Sequence, residues 1–98
     1  MSWNLAFHPK ALRELEKLDP ELQKQFMMRL ESRLNQPVVP KARLAGGPAN
    51  RYKIKLKSAG FRLVYKVDFD TDTIRVLAVG RRDSDVYREA TARGASDS

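Results

Sequence analysis

Residues 51–67, RYKIKLKSAGFRLVYKV, carry a row of cations with no acidic residue among them. Arg51, Lys53, Lys55 and Lys57 alternate with Tyr52, Ile54 and Leu56, and a second run adds Arg62 and Lys66. The chemistry open to such a set is electrostatic. Ammonium and guanidinium groups gathered on one surface hold phosphates and stabilise charge that develops on one during reaction. Neighbouring cations also lower a lysine pKa, so one amine of a cluster keeps a neutral fraction able to accept a proton. The structural alternative is a solvated lysine face, or one paired with carboxylates from elsewhere in the fold.

Whether these cations form one patch depends on strand register. The alternation predicts a β-hairpin in which Tyr52, Ile54 and Leu56 share a buried face with Phe61, Leu63, Tyr65 and Val67. Even residues of the first strand must then pair with odd residues of the second. A two-residue loop, Ser58-Ala59, does this and sets Leu56 opposite Phe61 and Lys55 opposite Arg62. A three-residue loop would set Lys55 beside Leu63 and is rejected. Lys53, Lys55 and Arg62 are therefore expected to gather on the face away from the helices. Like charges directly opposite on a sheet cost up to about 1 kcal/mol per pair. A small domain that keeps them has a use for them, or compensates them.

The elements that must position this hairpin follow from periodicity. Trp3, Leu5 and Phe7 alternate with polar or small residues and predict a first strand. His8-Pro9 opens a helix with a stripe at Leu12, Leu15 and Leu18, Pro suiting the first helical position. Asp19-Pro20-Glu21 repeats the start signal, and Leu22, Phe26, Leu30 and Leu34 mark the face of a second helix. Residues 35–50 hold three prolines and two glycines and read as a connecting loop. In TIRVLAVGRR, Ile74, Val76 and Ala78 alternate with Arg75, Leu77 and Val79, so this strand is apolar on both faces and should be central or covered. Asp83 or Ser84 can cap a last helix running to Arg93, with residues 94–98 expected to fray. The order β-α-α-β-β-β-α predicts an α+β fold: a mainly antiparallel four-stranded sheet with an N-terminal helical hairpin on one face and a short C-terminal helix. At 98 residues, one domain spanning 1–98 is expected.

Composition narrows the partner. The net charge is +7 and the pI about 10.1, which favours a polyanion such as nucleic acid. With no cysteine and one histidine, disulfides, thiolate metal centres and a histidine pair are excluded, and no metal or other cofactor is expected. No apolar run approaches a membrane span and no secretory signal opens the chain, so a cytoplasmic protein without membrane contact is expected.

The stretch from RLAGGPANRYKIKLKSAGFRLVYKV through VLAVGRRDSDVY resembles the RelE toxins of the RelE/ParE toxin–antitoxin superfamily. Its most specific parts are YKIKL, GFRLVY and VGRR, and the likeness extends over nearly the whole chain. The resemblance implies a ribosome-dependent endoribonuclease (an mRNA interferase) that cuts mRNA in the ribosomal A site and stops translation. It places the functional residues on Lys53, Lys55, Arg62, Arg82 and Tyr87. The Arg82–Tyr87 interval is one residue shorter than in the RelE archetype. Arg51, Lys57 and Arg81 are expected to add RNA contacts. The implied partners are a cognate antitoxin and the 70S ribosome carrying mRNA.

In that chemistry a 2′-hydroxyl attacks the adjacent phosphate while the 5′-oxygen leaves. Ribonucleases commonly use His or Glu for the proton transfers, but His8 precedes a helix and reads as a helix-entry residue, and no acidic residue maps to the patch. Lys55, opposite Arg62, is the candidate base. Arginine holds its proton too tightly to be a good acid, so Arg82 would stabilise the leaving oxygen. Tyr87 would stack on an exposed base, its alternative being a core tyrosine. Two other functions share this fold: a ParE-like protein that inhibits DNA gyrase without cutting, and an RNA-binding module without catalysis. The antitoxin is expected to cover the basic face and to shift the last helix, which has Val86, Tyr87 and Ala90 as its main apolar contacts.

Overall fold

A computed structural model describes residues 3–45 and 48–96, without the side chains of 95 and 96. Its elements are β1 (Asn4–Phe7), α1 (Pro9–Glu16), α2 (Pro20–Asn35), a single 3-10 turn (Pro40–Ala42), β2 (Arg51–Leu56), β3 (Phe61–Asp68), β4 (Thr73–Arg81) and α3 (Val86–Ser96). The strands lie in the order β1-β4-β3-β2, with β1 parallel to β4 and the other pairs antiparallel. The expected α+β architecture is therefore present. No helix among the described residues is long and apolar enough to cross a membrane.

The helical hairpin forms where the start signals stand. His8 precedes α1 and its Nδ1 accepts from the Lys10 N–H at 3.2 Å, a capping role in keeping with its position. Asp19 occupies the cap position of α2 without a side-chain bond. Gln23 closes the junction instead, its amide donating to the carbonyls of Leu18 (2.7 Å) and Glu16 (3.1 Å). Ala11, Leu15, Phe26 and Leu30 then bury against Tyr52, Ile54, Leu56, Leu63, Tyr65, Val67, Ile74, Val76 and Val79 on one sheet face.

The opposite face carries a second, smaller core of Leu44, Val64, Leu77, Ala78, Val86 and Ala90, covered by α3. β4 serves both cores because its pairing slips. Val64 faces Ala78 and Tyr65 faces Val76, so Leu77 is an extra residue and β4 is bulged there. The bulge turns Leu77 and Ala78 into the second core and returns Val79 to the first. That accounts for a strand apolar on both faces, and β4 is indeed internal, between β1 and β3.

The end of the chain differs from expectation in two ways. The last helix starts at Val86, and Ser84 does not cap it: its hydroxyl donates to the Arg81 carbonyl at 2.7 Å. The helix also runs past Arg93 to Ser96, while residues 97 and 98 lie outside the described residues.

Candidate functional site

The hairpin register is the one the apolar pattern requires, with Leu56 opposite Phe61 and Lys55 opposite Arg62. The turn itself is longer than the two residues expected. Residues 57–60 form it, the Gly60 N–H donating to the carbonyls of Leu56 (2.9 Å) and Lys57 (3.3 Å). Gly60 closes it at φ 72, a conformation glycine adopts without cost. Two loop residues more leave the parity unchanged, so the cations stay together.

Arg62 in turn pairs with Gly80 on β4, so Lys55, Arg62 and Gly80 form one row across three strands. Gly80 has no side chain to fill its end of the row. A Cβ there would lie 3.0 Å from the Ser84 hydroxyl and 3.6 Å from the Val86 Cβ. The approach to α3 therefore lies over the Gly80 end of the row, and Tyr87 follows in the helix's first turn. Tyr87 is half-buried against the second core, and its hydroxyl has no partner among the described residues. The Arg82 N–H donates to the Gly60 carbonyl at 2.8 Å, which ties the end of β4 to the hairpin turn. Arg82 thus joins Lys57, Ser58, Arg81 and Asp83 around a shallow groove of about 250 Å³ at the end of the row.

The electrostatics distinguish a compensated face from an uncompensated one. Among the described residues, Lys53, Lys55, Lys57, Arg62 and Arg82 have no carboxylate partner. The one hydrogen bond from this set's side chains runs from Arg62 to the Phe61 carbonyl, at 3.1 Å. The Lys55 pKa is lowered, chiefly by the charge of Lys53, then by partial desolvation and the charges of Arg62 and Lys57. Lys55 thus lies within the field of all three neighbouring cations.

Two expected members are held differently from the lysines. Arg51 is 7% exposed and lies under α3, where a Cβ on Gly94 would come within 2.7 Å of its guanidinium. One of its nitrogens donates to the Ala49 carbonyl at 3.2 Å, and burial lowers its pKa. Arg81 is exposed, but its guanidinium sits over the Phe61 ring, 5.4 Å from the centroid, on the side of the first core. Arg51 shares the alternation of the lysines and is covered by α3, whereas Arg81 pairs with Phe61, on the face opposite to Arg62. Lys66 pairs with Arg51 and Arg75, at the opposite end of the sheet face from Lys55.

Sequence reasoning also missed a second cationic wall. Arg29 and Arg33 of α2 and Lys41 of the 3-10 turn face Lys53, Lys55 and Lys57 around a groove of about 330 Å³ along the β2 edge. Arg33 is anchored there, donating to the Tyr65 hydroxyl at 2.8 Å and lying 5.7 Å from that ring's centroid. Arg29 and Arg33 are four residues apart on one helix face, a signal that was available.

Comparison with known proteins places the chain in a family. Residues 5–86 match the family described as ParE toxin of the type II toxin–antitoxin system parDE. A RelE-like toxin protein of Escherichia coli is 44% identical over 94 residues, covering 95% of this chain and 98% of its own. The mRNA interferase toxin RelE of Escherichia coli K12 is 39% identical over the same coverage. A double arginine mutant of Escherichia coli RelE in the free state superposes with a TM-score of 0.87 at 38% identity, over 95% of this chain and 98% of that one. The toxin of the intact Escherichia coli RelBE toxin–antitoxin complex does so with a TM-score of 0.80 at 35% identity, over 85% and 100%. With its helical hairpin, its bulged sheet and its unpaired cations across β2, β3 and the end of β4, this chain belongs to the RelE-like toxins of the RelE/ParE superfamily.

Proposed function

We propose that the chain, as one domain spanning residues 1–98, is the toxin of a type II module and cleaves mRNA in the A site of the 70S ribosome. The observation that carries this reading is the row of cations around Lys55 and Arg62, which no carboxylate among the described residues neutralises. A scaffold gains nothing from such a row, whereas a scissile phosphate supplies the missing negative charge.

In the reaction, Lys53 and Arg62 hold the phosphate and the charge that develops on it. Lys55, whose neighbours favour its neutral form, takes the proton of the 2′-hydroxyl as the 2′-oxygen bonds to phosphorus. The bond from phosphorus to the 5′-oxygen breaks, leaving a 2′,3′-cyclic phosphate on one fragment. Arg82 stabilises the departing 5′-oxygen, which takes its proton from solvent. Tyr87 stacks on a base next to the scissile bond and holds the strand in line. No step calls on a metal. The site positions few groups of its own, so the ribosome supplies the alignment of the mRNA. This places the protein in the cytoplasm.

RelE of Escherichia coli is held by an antitoxin in the RelBE complex, and a small antitoxin is the expected partner here. It would cover the cationic face with acidic or apolar residues and shift α3. The ParE description of the matching family keeps gyrase inhibition as the competing activity. The cleavage reading is favoured by full-length identity to RelE toxins together with the unpaired Lys55–Arg62 row.

Induced expression of the toxin, with primer extension on a reporter with and without a start codon, tests the proposal. Cuts within translated codons that vanish with the start codon are expected. Arg62→Ala and Arg82→Ala should each abolish cutting and toxicity with unchanged circular dichroism. Equal cutting of the untranslated transcript would remove the ribosome from the mechanism. A soluble Arg82→Ala protein with full toxicity would remove the nuclease.

A further inference from the structure

Past the end of β1, no strand among the described residues lies beside the edge of β4. β1 stops at Phe7, opposite Val76, and the His8 N–H closes the pairing on the Val76 carbonyl at 2.8 Å. Just beyond, two backbone groups are met by side chains instead. The Leu77 carbonyl accepts from Arg93 Nη1 at 2.9 Å, and the Val79 N–H donates to Glu14 Oε1 at 3.1 Å. Glu14 and Arg93 also hold each other, through Nη1–Oε1 at 2.8 Å and Nη2–Oε2 at 2.9 Å. Glu89, one turn before Arg93, adds a longer contact at 3.4 Å.

The two partners arrive from opposite sides of the sheet, Glu14 on α1 with the first core and Arg93 on α3 with the second. Together they close the open edge and bolt the two layers to each other. Two parallel charge-assisted bonds fix orientation as well as distance. Burial pushes the Glu14 carboxyl up, but the Arg93 bonds, the Val79 N–H and the Arg93 charge outweigh it and hold the carboxyl below its ordinary value.

α3 needs such a bolt. It has 11 residues, and helices shorter than about 12–15 are marginal alone. Among its described side chains, the buried apolar anchors are Val86 and Ala90. Tyr87 lies about 9 Å along the helix from Arg93, at 1.5 Å per residue, so a helix pinned at Arg93 fixes the ring as a lever fixes its far end. Gly94 adds to this, since its missing Cβ lets the helix settle onto Arg51.

We propose that Glu14 and Arg93 are positioning residues for Tyr87: by capping the bare edge of β4 they set where α3, and with it the base-stacking ring, lies over the Lys55–Arg62 row. This rests on the reading of Tyr87 as an RNA contact. The test is a double-mutant cycle of Glu14→Gln with Tyr87→Ala, read as single-turnover cleavage on programmed ribosomes and as amide exchange along residues 86–93.

Misplacing a group by about 1 Å can cost on the order of 100-fold. Glu14→Gln should therefore slow cleavage about 10- to 100-fold with ribosome affinity unchanged, and should add less than about twofold once Tyr87 is Ala. Exchange in 86–93 should quicken while β3 and β4 stay protected. An equal loss in both backgrounds, or unaltered exchange in α3, overturns the proposal. If Tyr87→Ala alone leaves cleavage intact, the role of Tyr87 in the proposed function fails, and exchange still judges the bolt. Glu14→Arg combined with Arg93→Glu keeps the charge pair but sets the guanidinium against the Val79 N–H and the carboxylate against the Leu77 carbonyl. It should not restore α3. Restoration would reduce the pair to an ordinary salt bridge and overturn the edge-capping role.

Discussion

The unpaired cations make a quantitative prediction about salt. Lys53, Lys55, Lys57, Arg62 and Arg82 share the hairpin end of the sheet without carboxylate partners among the described residues. Each phosphate they neutralise on a single strand adds about −0.7 to the slope of log affinity against log salt, so five contacts give about −3.5. Raising salt from about 50 to 200 mM should then weaken binding about 100-fold. Replacing Lys53 and Lys55 with Met removes two contacts, leaving a slope of about −2.1 and a loss of only about 20-fold over the same range. Arg51→Met is the control, because Arg51 is buried beneath Gly94 and its slope should equal that of the parent. Fluorescence anisotropy with a short single-stranded RNA at several salt concentrations gives all three slopes. A parent slope shallower than about −1.5 would show that most of these side chains do not meet phosphate. A loss of slope in Arg51→Met as large as in a surface variant would refute the division between exposed and buried cations.

Two further outcomes are expected. Because Lys55 acts as the neutral amine and its pKa is lowered chiefly by Lys53, cleavage should rise with pH through a midpoint below that of an ordinary lysine. Lys53→Met should move that midpoint up; single-turnover rates across pH check this, and an unmoved midpoint would exclude Lys55 as base. Tyr65→Phe should destabilise the fold, since the buried hydroxyl donates to the Pro37 carbonyl at 2.7 Å and accepts from Arg33 at 2.8 Å. Stranding the carbonyl costs about 1–3 kcal/mol, or about 4–8 °C in thermal midpoint per kcal/mol, readable by thermal circular dichroism; an unchanged midpoint would refute the role of that bond.

The sequence by itself determined the kinds of element, their order and the parity of the hairpin. These depend on short-range periods: an alternation of two puts Tyr52, Ile54 and Leu56 on one face whatever the rest of the chain does, and a slip of one residue would expose them all. Hence Lys55 opposite Arg62 was legible, and so was the crowding of Lys53 beside them. Alternation could not say what would cover each stretch of that face. Only the tertiary structure decided that α3 crosses it, burying Arg51 under Gly94 while leaving Lys53 and Lys55 less covered, and that Arg81 lies over the Phe61 ring. The bulge at Leu77 likewise arises from filling two cores with one strand, a demand no local pattern expresses. Glu14 and Arg93 are the extreme case. They lie 79 residues apart and meet because β1 ends before β4 does, leaving backbone groups that must be satisfied by whatever the folded chain brings to that edge.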